Sequence, residues 1–173
     1  MKGWNKLLKI LHWLSAVLVV FLFALGLWMM DLDYGHDLYQ IAPFVHQAVG
    51  MVLLLLMIFR VIWRLKSITP DALESHSRIE LVLGKIMHIS LYVVIFVIIL
   101  SGYVITTADG ENVSVFGLFT IPALPFNFDY QADIAGVVHF YLACAIMIMA
   151  LLHGAAALKH HFIDKDDTLR RMI

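Results

Sequence analysis

The sequence predicts an all-α fold: an integral membrane four-helix transmembrane bundle, a single domain over residues 1–173, with both termini cytoplasmic. Three observations predict it. First, 62% of the 173 residues are hydrophobic, only 14% are charged, and mean hydropathy is +0.88, whereas soluble domains run near 45–50% apolar and about 25% charged. Second, four apolar runs each approach the roughly 20 residues that cross a bilayer. Third, all 12 Lys and Arg residues fall on one side of those runs.

The first run is Ile10 to Met30, preceded by Lys2, Lys6 and Lys9. This start has the look of a signal peptide, but no A-x-A cleavage site follows, so it reads as a retained helix. The second run is Phe44 to Leu65, the third Ile86 to Thr106 and the fourth Gly136 to Leu158. Arg60, Arg64, Lys66, Arg78 and Lys85 border the second loop, and Lys159, Lys165, Arg170 and Arg171 follow the fourth run. The first loop (31–43) and the third (107–135) have no Lys or Arg. The positive-inside rule then puts the ends of the chain in the cytoplasm and, in a bacterium, these two loops in the periplasm. The second loop, KSITPDALESHSRIELVLGK, reads as a turn and then a short amphipathic helix. The apolar middle of the third, SVFGLFTIPALPFNF, reads as a segment lying on the membrane interface or as a lid over a periplasmic-side cofactor. The single cysteine, Cys144, excludes a disulfide framework and reads as inert packing. Repeats, phosphate-binding loops and nucleophile motifs are absent from the sequence.

Of nine histidines, His12, His46, His88, His139 and His153 lie within spans. An ionisable group inside a membrane is a functional-site hypothesis by default, and burying an unpaired polar group costs about 2–7 kcal/mol. Depth sorts the five. His12, His88 and His153 lie near flanking lysines at the cytoplasmic level, and His46 and His139 lie at the periplasmic level. A fourteen-residue interval recurs in every helix: His12 to Gly26, His46 to Arg60, His88 to Gly102, His139 to His153. Fourteen residues fall about 40° short of four turns, so each pair shares one face, about 21 Å apart along the axis. Each level therefore offers a ligand, a cation, or a glycine gap where a flat ring would pass; Gly50 adds a gap one turn from His46, and Ala143, Ala150 and Ala157 keep the fourth helix's face low. Arg60 and Arg64 sit where the carboxylates of a cytoplasmic-side ring would be paired. Taken singly, each feature has a plainer reading: a helix–helix hydrogen bond for a histidine, packing for the small residues, snorkelling for Arg60. The joint pattern favours metal ligation. Zinc would want further N, S or O ligands, and the spans hold no carboxylates; a di-iron bundle would need Glu-x-x-His motifs, and there are none. Two trans imidazoles with gaps beside them fit six-coordinate haem, whose iron exchanges electrons.

The His12-Trp13 pair, the His46 helix ending in RVIWRLK, the pair His139 and His153, and above all HGAAALKHHFIDKDDTLRRM at 153–172 resemble the bacterial cytochrome b561 family, over essentially the whole chain. That family is similar in turn to the di-haem cytochrome b subunits of formate dehydrogenase and nickel–iron hydrogenase. The resemblance implies two haem b groups, with bis-histidine low-spin iron: one on His46 and His139, the other on His12 and His153. Spacing alone left His12 and His88 both open as the cytoplasmic-level ligand. The resemblance leaves His88, with His160 and His161, as a candidate for supporting contacts or a quinone site. It also implies an inner-membrane cytochrome of the respiratory chain that passes electrons between a membrane quinone, ubiquinone included, and a redox partner at the periplasmic face. The alternatives are a self-contained superoxide:ubiquinone oxidoreductase, an activity known in the family, and a haem-bearing membrane anchor subunit of a larger dehydrogenase. Expected partners are the lipid bilayer, a quinone, a periplasmic redox or quinone-binding protein and a second copy of the chain, but not nucleic acid. One departure weighs against superoxide. Asp31, Asp33, Asp37, Asp109, Glu111, Asp129 and Asp133 make the periplasmic loops acidic, and that field repels an anion.

Overall fold

The computed structural model describes residues 3–73 and 75–173; Lys2, part of the charge pattern above, lies outside them. Four helices carry the fold: α1 (Lys6–Met30), α2 (Ile41–Lys66), α3 (Arg78–Thr106) and α4 (Gln131–Phe162). All four are long and apolar enough to cross a membrane. At 1.5 Å per residue they run to about 37–48 Å, beyond the roughly 30 Å of hydrocarbon, so their ends stand in the polar layers.

Those ends are longer than the apolar runs because capping chemistry, not hydropathy, sets them. The Asn5 side chain accepts from the Leu7 amide at 2.9 Å and starts α1. Pro43 sits in the first turn of α2, where a missing N–H costs no hydrogen bond. At α3, the Ser77 hydroxyl accepts from the Glu80 amide at 3.3 Å, and the Glu80 carboxylate accepts from the Ser77 amide at 2.9 Å, a reciprocal capping box. The short amphipathic helix expected in the second loop is therefore no separate element; it forms the first turns of α3. Before α4, Tyr130 takes a left-handed φ of 59°, and the Gln131 side chain donates to the Val104 carbonyl at 2.9 Å, tying α4 to the end of α3.

The third loop folds as a hairpin: β1 (Val113–Val115) pairs antiparallel with β2 (Phe119–Ile121), Val113 opposite Ile121 and Val115 opposite Phe119. Phe116 (φ 51°), Gly117 (φ 72°) and Leu118 make the three-residue turn, closed by the Leu118 amide donating to the Val115 carbonyl at 3.0 Å. Strand alternation turns Val113 and Val115 inward onto α2, where they join Met51, Leu53, Met57 and Ile99 in the core. The segment is thus seated on α2 through Val113 and Val115, while Phe116, Leu118 and Phe119 stay exposed.

Antiparallel α1 and α2 pack as one pair, α3 and α4 as another, and the pairs meet along the sparser α2–α3 and α1–α4 seams. Outward faces stay apolar, with Ile10, Val17, Ile89, Val93, Val137 and Leu151 all exposed, as suits lipid contact rather than water. At the end of the bundle away from the hairpin, the tail folds back: Trp13 Nε1 donates to the Met172 carbonyl (2.9 Å), the Trp4 amide to the Arg171 carbonyl (3.3 Å), and the Arg171 guanidinium to the Asp71 carbonyl.

Candidate functional site

At the hairpin end, α2 and α4 face each other through His46 and His139, with ring centroids 6.1 Å apart and ring planes at 67°. Glycines of the neighbouring helices seat both rings. A Cβ on Gly26 would lie 3.2 Å from His46 Cε1, and one on Gly102 would lie 3.2 Å from His139 Cε1. Both glycines thus stand directly against an imidazole edge, where a side chain would crowd the ring. A Cβ on Gly50 would meet nothing within 4 Å. His139 Nδ1 lies 3.0 Å from the Ile98 carbonyl and 3.0 Å from Ser101 Oγ, whose own hydroxyl donates to Ile98. That places the proton on Nδ1 and leaves Nε2 with its lone pair free, the arrangement typical of a metal-bound histidine. His46 Nδ1 is buried and without a partner among the described residues.

At the tail end, His12 and His153 have centroids 6.2 Å apart and planes at 75°. His88 is also on His153, at 5.0 Å and 72°. The Arg60 guanidinium donates to Ser15 Oγ (2.7 Å) and to His12 Nδ1 (2.9 Å) and lies 5.2 Å over the Tyr92 ring. A guanidinium only donates, so His12 Nδ1 accepts here. Among the described residues neither Arg60 nor Arg64 pairs with a carboxylate; Arg64 stacks on Trp4 at 3.8 Å, apart from His12. Between the two ends lie Leu18 and Leu22, Met51 and Met57, Tyr92, Phe96 and Ile99, an apolar layer.

These residues fit haem. At 6.1 and 6.2 Å the ring centroids of His46 with His139 and of His12 with His153 leave room for one metal ion between the imidazoles of each pair, whereas His88 and His153 at 5.0 Å are in direct ring contact. Imidazole-only donors suit an iron or a borderline metal. Arg60, a half-buried cation without an anion, suits a cofactor carboxylate.

The comparisons with known proteins agree. The family model described as "Prokaryotic cytochrome b561" matches residues 3–173. "Cytochrome b561 homolog 2" of Escherichia coli (strain K12) is 47% identical over 94% of this chain and 86% of its own length. The chain belongs to the prokaryotic cytochrome b561 family. "Probable superoxide oxidase CybB" of Yersinia pestis is 30% identical over 94% of this chain and 91% of its own; "Cytochrome b561 homolog 1" of Escherichia coli (strain K12) is 25% identical over 100% and 98%. As a b561 family member, this is a haem-binding electron-transfer protein, a multi-pass protein of the bacterial inner membrane.

Sequence reasoning missed two serines beside the histidines: Ser101, which meets the His139 ring, and Ser15, which accepts from Arg60. Ser101 is buried at the hairpin end and Ser15 at the tail end, each next to the face on which its helix carries the histidine-to-glycine interval. A serine inside an apolar run was the available signal. It also missed a polar cluster in which His160 Nδ1 and His76 Nε2 meet Asp166 Oδ2. Burial pushes the Asp166 carboxyl up, but hydrogen bonds from the Thr168 hydroxyl and amide and from His76 outweigh it and hold the group at about 2. His160, a quinone-site candidate in the sequence, is committed to this cluster, while His161 packs on Phe162.

Proposed function

We propose that the chain is a di-haem b cytochrome, carrying electrons across the inner membrane between a membrane quinone and a redox partner at the periplasmic face. The observation that carries this reading is the pair of near-identical histidine spacings, 6.1 and 6.2 Å, at opposite ends of one bundle. Haem closed by two imidazoles supplies one-electron exchange without an open position for oxygen. His46 and His139 hold one group, His12 and His153 the other, so α4 lends a ligand to each. Ile98 and Ser101 orient His139; Gly26 and Gly102 set how closely α1 and α3 approach the ligand rings. Arg60 balances the charge of a cofactor carboxylate, which requires it to release His12 Nδ1, since that nitrogen must then carry the proton. The apolar layer between the levels excludes water, so protons do not follow the electrons. The charge asymmetry of the loops supports a cytoplasmic tail end and a periplasmic hairpin end.

The test is haem content of single variants. His46→Ala or His139→Ala is expected to remove one haem and leave the other, and His12→Ala or His153→Ala to remove the complementary one, each set with its own spectrum. Loss of both haems in every variant that still folds, or loss of neither, would refute the assignment. A self-contained superoxide:ubiquinone oxidoreductase is the second reading, favoured by the similarity to a relative named as a probable superoxide oxidase. The acidic hairpin-end loops count against it.

A further inference from the structure

Three chain segments converge on one point at the tail end: the second loop through His76, the end of α4 through His160, and the tail through Asp166. His76 Nε2 is 3.1 Å from Asp166 Oδ2, and His160 Nδ1 is 3.0 Å from the same oxygen. All three ligand atoms lie within 4.8 Å of one another. The side chains are nearly enclosed, with relative exposures of 16%, 14% and 6% for His76, His160 and Asp166.

We propose that His76, His160 and Asp166 form a binding site for a divalent cation of the zinc class, separate from the haem ligands. Two imidazole nitrogens and one carboxylate oxygen are the donor set that borderline divalent metals take, and three protein ligands leave a fourth position for water. A tetrahedron with metal–ligand bonds of about 2.0–2.1 Å has edges of about 3.4 Å. The two nitrogen–oxygen separations are within a few tenths of an ångström of that edge, so closing on a metal asks for little movement. The surroundings hold the ligands in place. The Thr168 amide donates to Asp166 Oδ1 at 2.8 Å, occupying that oxygen and leaving Oδ2 aimed at the imidazoles. Thr168 Oγ1 lies 3.0 Å from His76 Nε2. Asp164 stands outside the set: its Oδ2 reaches His160 Nδ1 at 3.0 Å but is held by Lys159 Nζ at 2.8 Å, and Lys159 also pairs with Glu80.

The consequence is mechanical. Asp166 belongs to the tail that crosses the α1 entry, where Trp4 and Trp13 hydrogen-bond to it, and His76 belongs to the loop whose Asp71 carbonyl accepts from Arg171. A metal here would staple that loop to that tail, beside the His12 level. The same three side chains also make a plain hydrogen-bonded clasp, which is the alternative outcome of the test.

The test is zinc titration of the full-length haem-loaded protein in detergent, stripped of metal and without an affinity tag. One Zn²⁺ per chain is expected to bind far more tightly than Mg²⁺. His76→Gln and His160→Gln should each weaken it at least tenfold, with the haem spectrum unchanged, and His36→Gln at the other end of the bundle should leave it intact. Zn²⁺ binding no tighter than Mg²⁺, unaltered affinity in both site variants, or an equal loss in His36→Gln overturns the proposal. Should a site variant fail to fold, absorption at the zinc edge of the wild-type complex decides: two imidazoles and no sulfur are expected, and a shell without imidazole overturns it.

Discussion

Adding one methyl group at Gly102 should damage the hairpin-end haem site without damaging the fold. The new Cβ would stand 3.2 Å from Cε1 and 3.5 Å from Nδ1 of His139, while carbon atoms prefer about 3.5–4.0 Å. The ring must move by about 0.3 Å or more. It cannot do so freely, because its Nδ1 is held at 3.0 Å by both the Ile98 carbonyl and Ser101 Oγ, on the same helix as Gly102. Disturbing the contacts that orient a metal ligand typically costs about 10–100-fold in affinity, or about 1.4–2.8 kcal/mol. The effect on the helix has the opposite sign: alanine within a helix is favoured over glycine by about 1 kcal/mol. Gly102→Ala is therefore expected to keep or raise thermal stability of the haem-free protein while lowering occupancy, or shifting the spectrum, of one haem only. Gly102→Val should go further. Gly84→Ala, whose Cβ meets nothing within 4 Å, serves as the control with no haem phenotype. The assay is pyridine haemochrome quantitation with low-temperature difference spectra on each variant. Full occupancy and wild-type spectra in both Gly102 variants would refute the packing argument.

Further outcomes follow from the same geometry. His88→Ala should retain both haems, because its 5.0 Å contact with His153 is shorter than an iron-bridged pair, whereas His12→Ala should lose one; haem quantitation separates the two. Arg60→Gln removes the guanidinium that contacts His12, so reduction of the tail-end haem should become harder, its midpoint falling by on the order of 50 mV in a redox titration. Superoxide-driven ubiquinone reduction by the purified protein should be slow and should rise with ionic strength, as expected where like charges repel; a near-diffusion-limited rate at low salt would overturn the electrostatic argument.

The sequence carried the features that the membrane itself imposes. Hydrocarbon demands runs of about 20 apolar residues, so four spans were visible; a bilayer penalises imidazole, so five histidines stood out; and helical periodicity put His139 and His153 on one face. What it hid depends on contacts distant in the chain or on local geometry. The first turns of α3 are polar, and only the Ser77–Glu80 capping box marks them as helix. The hairpin has no Asn-Gly or Asp-Gly turn, since Phe116 takes the positive-φ position next to Gly117, and its strands are three residues each. Gly26 and Gly102 were singled out by their interval from His12 and His88, but the rings they stand against are those of His46 and His139 on other helices. That exchange became visible only once α1 lay beside α2 and α3 beside α4. The meeting of His76 with Asp166, ninety residues apart, has no local signature at all.

The central claim is tested most directly by haem quantitation on the purified full-length protein, taken with its dithionite-reduced minus oxidised spectrum. Two haem b per chain, both reversibly reducible and low-spin, are predicted from the paired spacings of His46 with His139 and His12 with His153. One haem per chain, none, or a high-spin site open to carbon monoxide would contradict it.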